Sequence, residues 1–499
     1  MHHLLLIICI FISNLGYSQV ISFSGSKLDL NELLDVGAST FLQFGPDSRL
    51  YVAEQYGTIY ALSIEKAGVD NYVVTNSEVI TLVGNIPNHN DDGSSSDSTL
   101  RQCTSLYVAG TAENPVIYAS SSDPRVGGPS GDKDLDTNSG IITKLSWNGS
   151  AWEAIDIVRG LPRSEENHAS HGLEYAIINS VPHLILAQGG HTNAGSPSIN
   201  FAWANEYALS AAILAIDLNQ IESLGVKTDS ESGRKYVYDL PTLDDPTRAN
   251  LNGIEDPNQA GYDGIDNGDP WGGNDGLNQA KYDPDGPVKI LSPGFRNCYD
   301  LVVTQKGGLY VTENGANGGW GGFPENEGLA GNVTNNYRPG EPGSDAIDNN
   351  EEPVDNQDHL ELVTNDLQNY VFGSYYGGHP NPTRSNPTGA GLFTKGAHSS
   401  DPGDSNNNGY TDDWFRTQIL PYNSVDFVTQ SLPVDWPPYP ANLANIEEGD
   451  FRNPTKNNPD GPNDQNVLIW PNNTNGIDEY TASTFGGQMK GNLIAGNNK

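Results

Sequence analysis

Residues 160–175 read GLPRSEENHASHGLEY, and residues 189–195 read GGHTNAG. The first stretch sets His168 and His171 three apart at the end of a loop, just before the apolar Leu173; the second adds His191. An imidazole in such a place can ligate a metal, move a proton, or serve only as a polar loop group. Zinc held by His168, His171 and His191 fits the spacing, but the neighbouring sequence offers no fourth ligand. A second constellation is DSNNNGYTDDW, in which Asp404, Asn406 and Asn408 alternate, Gly409 stands at the sharp turn and Asp412 takes the ninth position. That is the opening of an EF-hand-type calcium loop. Its twelfth position is Phe415 rather than Glu, so Asp413 would have to complete the shell; the competing reading is a solvated acidic loop. GYDGIDNGD, residues 261–269, repeats the idea more faintly.

Such residues need elements to hold them in place. Helical periodicity is nearly absent: the main amphipathic stretch is NEYALSAAILAIDL, whose second half reads equally well as a strand. Instead one unit recurs, an apolar strand, a tight turn, and a second strand ending in small or acidic residues. Its clearest copy is FLQFGPDSRLYVAEQYGTIYAL, residues 41–62. Pro46 and Asp47 suit the turn, so Leu42 and Phe44 can face Leu50 and Val52 across a hairpin. Looser copies are 105–123, 173–190, 300–315 and the stretch GGQMKGNLIAGNN at 486–498. The early copies start roughly every 60 to 70 residues, which is consistent with propeller blades carrying long loops. Between them lie Asp/Asn/Gly/Pro-rich stretches at 243–287, 317–358 and 400–412, and a polar one at 452–465. These have too few apolar residues to form cores and read as insertions on one face. Repeated hairpins without helical partners predict an all-β propeller rather than a sandwich.

The first eighteen residues address the compartment. MHH precedes the apolar run LLLIICIFI and the small-x-small pattern Gly16-Tyr17-Ser18, a secretory signal with a mature start near Gln19. The run is too short to span a bilayer. Lys and Arg number 25 against 63 Asp and Glu, a formal charge of −38. Such a surface repels nucleic acid and anionic membrane, and suits divalent cations and neutral ligands such as sugars. Beyond the signal only Cys103 and Cys298 remain; they can pair, but they do not make a disulfide scaffold.

One ordered series of motifs goes further. FGPDSRLYVAEQYGTI is followed by LRQCTSL, LPRSEENHASHGL, PGFRNCYDLVV with GGLYVTENGANGG, then DHLELV and YYGGHPNP. In this order they resemble the soluble pyrroloquinoline quinone (PQQ)-dependent sugar dehydrogenases, the glucose/sorbosone dehydrogenase family, over most of residues 38–382. The resemblance implies a six-bladed β-propeller over 19–499, oxidising an aldose hydroxyl to the lactone, with hydride passing to PQQ and on to an electron acceptor. It makes His168 the base, Gln102, Arg296, Asn297 and Tyr376 cofactor contacts, and the carbonyls of Gly315 and Ala316, with Asp358 nearby, the setting of the calcium ion. Those roles are chemically sound. A neutral imidazole can accept the hydroxyl proton, Arg296 can stabilise charge developing on the quinone oxygen, and calcium wants hard oxygens.

The chain also departs from the family. His171 stands where glycine is usual, and Cys298 follows Asn297 where proline is common. The family's later basic residues, which hold the quinone carboxylates, come from the last blade. Here GGQMKGNLIAGNN reads as leading into a final hairpin whose second strand is absent, leaving Lys490, Lys499 or Arg125 as substitutes. Two other functions fit the same sequence: a non-catalytic, calcium-stabilised propeller binding carbohydrate at the cell surface, and a calcium-dependent lactonase-type hydrolase. The RQC and FRN motifs favour the quinone, because hydrolysis has no need of a planar acidic cofactor.

Overall fold

The hairpin expected from FLQFGPDSRLYV forms: Ser39–Phe44 pairs antiparallel with Leu50–Glu54, placing Leu42 opposite Val52 and Phe44 opposite Leu50. Asp47 fixes its turn, accepting from the backbone and side chain of Arg49 and from the Tyr51 hydroxyl. A tighter turn, Asn179-Ser180, has both residues at positive φ (51° and 68°), the geometry whose twist matches a two-residue hairpin.

The computed structural model describes residues 28–30, 36–69, 71–90, 93–127, 135–193, 201, 206–207, 209–243, 253–254, 259–261, 265–266, 271, 280, 282–283, 285–317, 358–379, 466–470 and 474–497. These are nearly all β, with one short α-helix, Leu218–Ser223, capped by Asp217. The ambiguous stretch before it resolves as the strand Ala212–Asp217.

Four sheets follow one another along the chain. The first contains Ser39–Phe44, Leu50–Glu54, Ile59–Gly68 and Asn71–Ile80, with Leu28–Asp29 parallel at its outer edge. The second contains Gln102–Gly110, Pro115–Ser122, Gly140–Trp147 and Trp152–Leu161. The third contains Ser170–Ile178, Val181–Gln188, Ala212–Asp217 and Val288–Pro293. The fourth contains Cys298–Val303, Leu309–Glu313, Asp358–Thr364 and Asn466–Trp470. The opening strand of each sheet packs on the opening strand of the next, which is the arrangement of a propeller. Apolar layers fill the spaces between sheets. Ile59, Leu106 and Ile117 lie between the first and second, Val158, Leu173 and Leu214 between the second and third, and Ile185, Phe295 and Leu301 between the third and fourth. Burying each such side chain contributes roughly 1.5–3 kcal/mol.

The described residues complete four blades where six were expected. The tail also differs from expectation. Leu493–Asn497 is the second strand of a hairpin whose first strand is Thr474–Glu479, and Ile477 packs on Val302 and Leu360 of the fourth sheet. The polar stretch before 474 hid that strand. Cys103 and Cys298 are free and buried in different apolar layers, so they do not pair. The signal segment 1–18 and the loop residues Asp404, Asn406, Asn408 and Asp412 lie outside the described residues. Of GYDGIDNGD, Ile265–Asp266 forms a two-residue ladder with Thr242–Leu243.

The second sheet acquires a further strand late in the chain. Lys235–Asp239 lies parallel to Trp152–Leu161, and Asp239 receives the buried Arg159 through two bonds of 2.6 and 3.0 Å. Arg159 also lies over Tyr236, 3.6 Å from the ring centre, and 5.0 Å from Trp271, which stacks on the ring of His89 at 4.3 Å.

Candidate functional site

The loop that carries His168 joins the last strand of Trp152–Leu161 to Ser170–Ile178, and a buried cation shapes it. Arg163 has no exposed surface and donates to the carbonyls of Asp123 (3.1 Å), Arg125 (2.7 Å), Glu166 (2.8 Å) and Ser164. Backbone carbonyls thus satisfy its planar fork of donors. Ser164 and His168 bond reciprocally: the His168 N–H donates to Ser164 Oγ at 3.0 Å, and the Ser164 N–H donates to the His168 carbonyl at 2.9 Å.

The His168 ring is placed by Gly190. Nδ1 lies 2.9 Å from the Gly190 carbonyl oxygen, which can only accept, so Nδ1 carries the hydrogen and Nε2 presents a lone pair. Burial, and then the charge of Arg296, hold the ring well below its ordinary pKa, so the imidazole is neutral. Its Nε2 stands 3.6 Å from Oε2 of Glu166. The paired glycines of GGHTNAG are needed for close approach. A Cβ on Gly189 would stand 2.7 Å from His168 Cβ, and one on Gly190 would stand 2.8 Å from both the Arg296 carbonyl oxygen and Glu206 Oε1.

Arg296 reaches the same place from the turn before the fourth sheet. Its carbonyl accepts from the Gly190 N–H at 2.7 Å, and its own N–H donates to Glu313 Oε1. The side chain is 2% exposed, yet among the described residues Nε and Nη2 have no hydrogen-bond partner. Burial lowers its pKa, with Glu166, Glu313, Asp358 and Glu206 opposing. A buried cation left in this state costs several kcal/mol, so the guanidinium is arranged for an oxygen-bearing or anionic ligand. Phe201 lies near both candidates, its ring centre 4.9 Å from that of His168 and 5.8 Å from Arg296 Cζ.

Asn297 connects this pair to the loop after Leu309–Glu313. Its Nδ2 donates to Asn314 Oδ1 (3.1 Å), and Asn314 Nδ2 donates to Asp358 Oδ2 (2.9 Å). Asp358 Oδ1 accepts the Gly315 N–H (3.0 Å), while Asn193 and Asn317 bond each other through side chain and backbone. Gly315 and Ala316 are therefore held in place and buried, and among the described residues their carbonyls accept no hydrogen bond. Asp358 acts as the anchor of this loop from behind.

The other two histidines differ from His168. Nε2 of His171 lies 3.0 Å from Asn297 Oδ1, and burial takes its pKa to about 4, so it supports Asn297. His191 is fully buried, its ring centre 4.1 Å from that of Tyr207 and both ring nitrogens without partners among the described residues, and burial takes it to about 4. Its backbone N–H donates to Glu206, which also accepts from Thr192 and faces His379 Nε2 at 2.8 Å. The three rings thus sit in separate surroundings, and among the described residues no three of His, Cys, Asp and Glu are gathered as a metal-ligand set. Tyr376 donates its hydroxyl to the His379 carbonyl (2.7 Å) and packs its ring on Gly294, so it supports the 377–379 turn. Gln102 is half-buried and accepts from Ser122 at 3.3 Å; among the described residues its side chain makes no hydrogen bond to His168 or Arg296. Arg125 is bound to both oxygens of Asp123, and Lys490 is exposed in the connection of the last hairpin.

The structure links His168, Arg296, Asn297, Gly315 and Asp358 through this chain of bonds, with Ala316 next to Gly315. Sequence reasoning missed Glu166, Phe201 and the Glu206–His379 pair. Neither Glu166, one acid among 63 acidic residues, nor Phe201 left a local signal.

Among the described residues no helix is long and apolar enough to cross a membrane. No protein-family description and no curated protein matches the chain. Among solved structures, the chain is similar to the calcium structure of a Trichoderma reesei carbohydrate-active enzyme of family AA12. The identity is 12%, 93% of this chain and 91% of that one are covered, and the TM-score is 0.37. It is similar also to the holo form of the PQQ domain of pyranose dehydrogenase from Coprinopsis cinerea (12% identity, 69% and 54% covered, TM-score 0.33). A third is the PQQ-bound aldose sugar dehydrogenase of Streptomyces coelicolor (13% identity, 66% and 75% covered, TM-score 0.26). At these identities and scores the likeness assigns no residue a role.

Proposed function

We propose that the chain is an exported, PQQ-dependent oxidoreductase that oxidises a sugar hydroxyl, in the aldose-to-lactone manner, on a six-bladed propeller. The observation that carries this reading is the buried Arg296 guanidinium, with Nε and Nη2 unpartnered among the described residues, beside a neutral His168 whose Nε2 lone pair is available. The order of the motifs from FGPDSRLYV to YYGGHPNP supports it.

The residues present fit such a cofactor. Arg296 offers two donor nitrogens, Nε and Nη2, unpartnered among the described residues, to its oxygens, with the Phe201 ring beside the guanidinium. The carbonyls of Gly315 and Ala316 suit a hard cation such as calcium, with Asp358 fixing their loop. What the quinone would supply is acceptance of a hydride. The chain's own residues do the rest. The Gly190 carbonyl holds Nδ1–H of His168, so that Nε2 takes the proton of the sugar hydroxyl. Arg296 places positive charge where negative charge develops. An electron acceptor then completes the cycle, and the loop at Asp404–Asp412 is assigned a structural calcium ion.

The test is direct. Purified protein is given PQQ and calcium, and dye reduction is followed over a panel of sugars. Quinone-dependent reduction with at least one aldose is expected. Quinone binding without turnover of any sugar would favour the carbohydrate-binding reading, and sugar-lactone hydrolysis without quinone would favour the hydrolase.

A further inference from the structure

His168 is 3% exposed at its side chain, so a proton taken at Nε2 has to leave through a neighbour. Two features identify that neighbour. Glu166 Oε2 stands 3.6 Å from Nε2, and the Glu166 side chain is 12% exposed, so it lies between the buried ring and solvent. Its position is also built rather than incidental. Arg163 holds the Glu166 carbonyl at 2.8 Å, and the Asn167 N–H donates to Oε2 at 2.6 Å.

We propose that Glu166 is a proton-relay residue: it receives at Oε2 the proton that His168 has taken at Nε2, and releases it to water. The inference rests on the reading above that His168 is the base. The step balances without any co-reactant: the Nε2–H bond of the imidazolium breaks, an O–H bond forms on Glu166, and the proton then passes to water. No electrons move. The surroundings demand such an acceptor. An imidazolium at His168 would face the positive charge of Arg296, with His171 and His379 adding to the repulsion when protonated. Glu166 feels the same Arg296, and Arg163, as attraction, while burial holds its carboxyl above the ordinary glutamate range. The acid is thereby matched more closely to the proton it must carry.

Two measurements test this. In protein loaded with quinone, Glu166→Gln should lower kcat by about 10- to 100-fold with KM nearly unchanged, at or below the lower end of the range for direct acid–base catalysis, as suits a group one step removed from the substrate. The acid limb of the wild-type pH profile, set by Glu166, should disappear. Glu166→Ala should regain turnover on adding formate or acetate, which a merely structural role would not allow. The second measurement needs neither cofactor nor sugar. In the unloaded protein, the nitrogen-15 shift of His168 Nε2 should follow an inflection from Glu166 ionisation, and Glu166→Gln should abolish it. An unaltered pH profile with no carboxylate rescue, or a His168 shift indifferent to Glu166, would overturn the relay. Absence of any sugar oxidation by the wild type would instead overturn the dehydrogenase reading, leaving the shift measurement to judge whether Glu166 and His168 share a proton.

Discussion

His168 owes its readiness as a base to a glycine carbonyl, because Gly190 fixes the tautomer that leaves Nε2 unprotonated. His168→Gln should therefore reduce dye-linked turnover by about 10²- to 10⁴-fold while quinone affinity, read by titration, is kept. His171→Gly should be far milder, since that ring supports Asn297 at 3.0 Å. The reverse order of severity would make His171 the base. The spacing of His168 from Leu173 and the adjacency of Arg296 and Asn297 were legible because each motif is local. Glu166 was hidden by composition: in a chain with 63 acidic residues, one more glutamate carries no signal until its distance to Nε2 is known.

Neighbouring strands bring carboxylates together that no local motif could connect. Glu174 on Ser170–Ile178, Asp300 on Cys298–Val303 and Asp478 on Thr474–Glu479 lie on three successive opening strands. Asp300 ties the last of these down by accepting the Ile477 N–H at 2.9 Å. Burial, with repulsion from the other two, raises Glu174 to about 8. Burial raises Asp300 to about 7, and Asp478 is raised as well, with Glu479 adding to it. Carboxyls raised in this way bind more protons in the folded state, so their contribution is complete below the unfolded value near 4 and is lost as pH rises towards 8. Hydrogen exchange over 474–497 should accordingly quicken between pH 5 and 8, and Asp300→Asn should flatten that dependence. An unchanged slope in the variant would count against the assignment. The hairpins at 41–62, 105–123, 173–190 and 300–315 were legible because turn residues and apolar alternation coincide. Thr474–Glu479 was not, because its single buried apolar residue, Ile477, gives no alternation to read.

Together, the sheets form a series in which each opening strand packs on the next, and the described residues carry that series through four blades and a hairpin. Calcium enters the proposal at two places, the Gly315–Ala316 loop and the Asp404–Asp412 loop. A ligand bound by the folded state alone stabilises it, so exhaustive chelation should lower the melting temperature and block quinone loading. Asp404→Ala should affect only melting and Asp358→Ala chiefly quinone loading; a melting curve indifferent to chelation would remove both sites. The series is interrupted at one point, the strand Lys235–Asp239, which returns to the second sheet after three strands of the third have been laid down. Arg159 meets its carboxylates only 70 and 80 residues later, at Asp229 and Asp239. During synthesis, therefore, a nascent chain that has emerged only as far as the third sheet still carries an unneutralised arginine in the second. The second blade therefore cannot complete its buried ion pairs until residue 239 is in place, so its maturation is tied to that of the third.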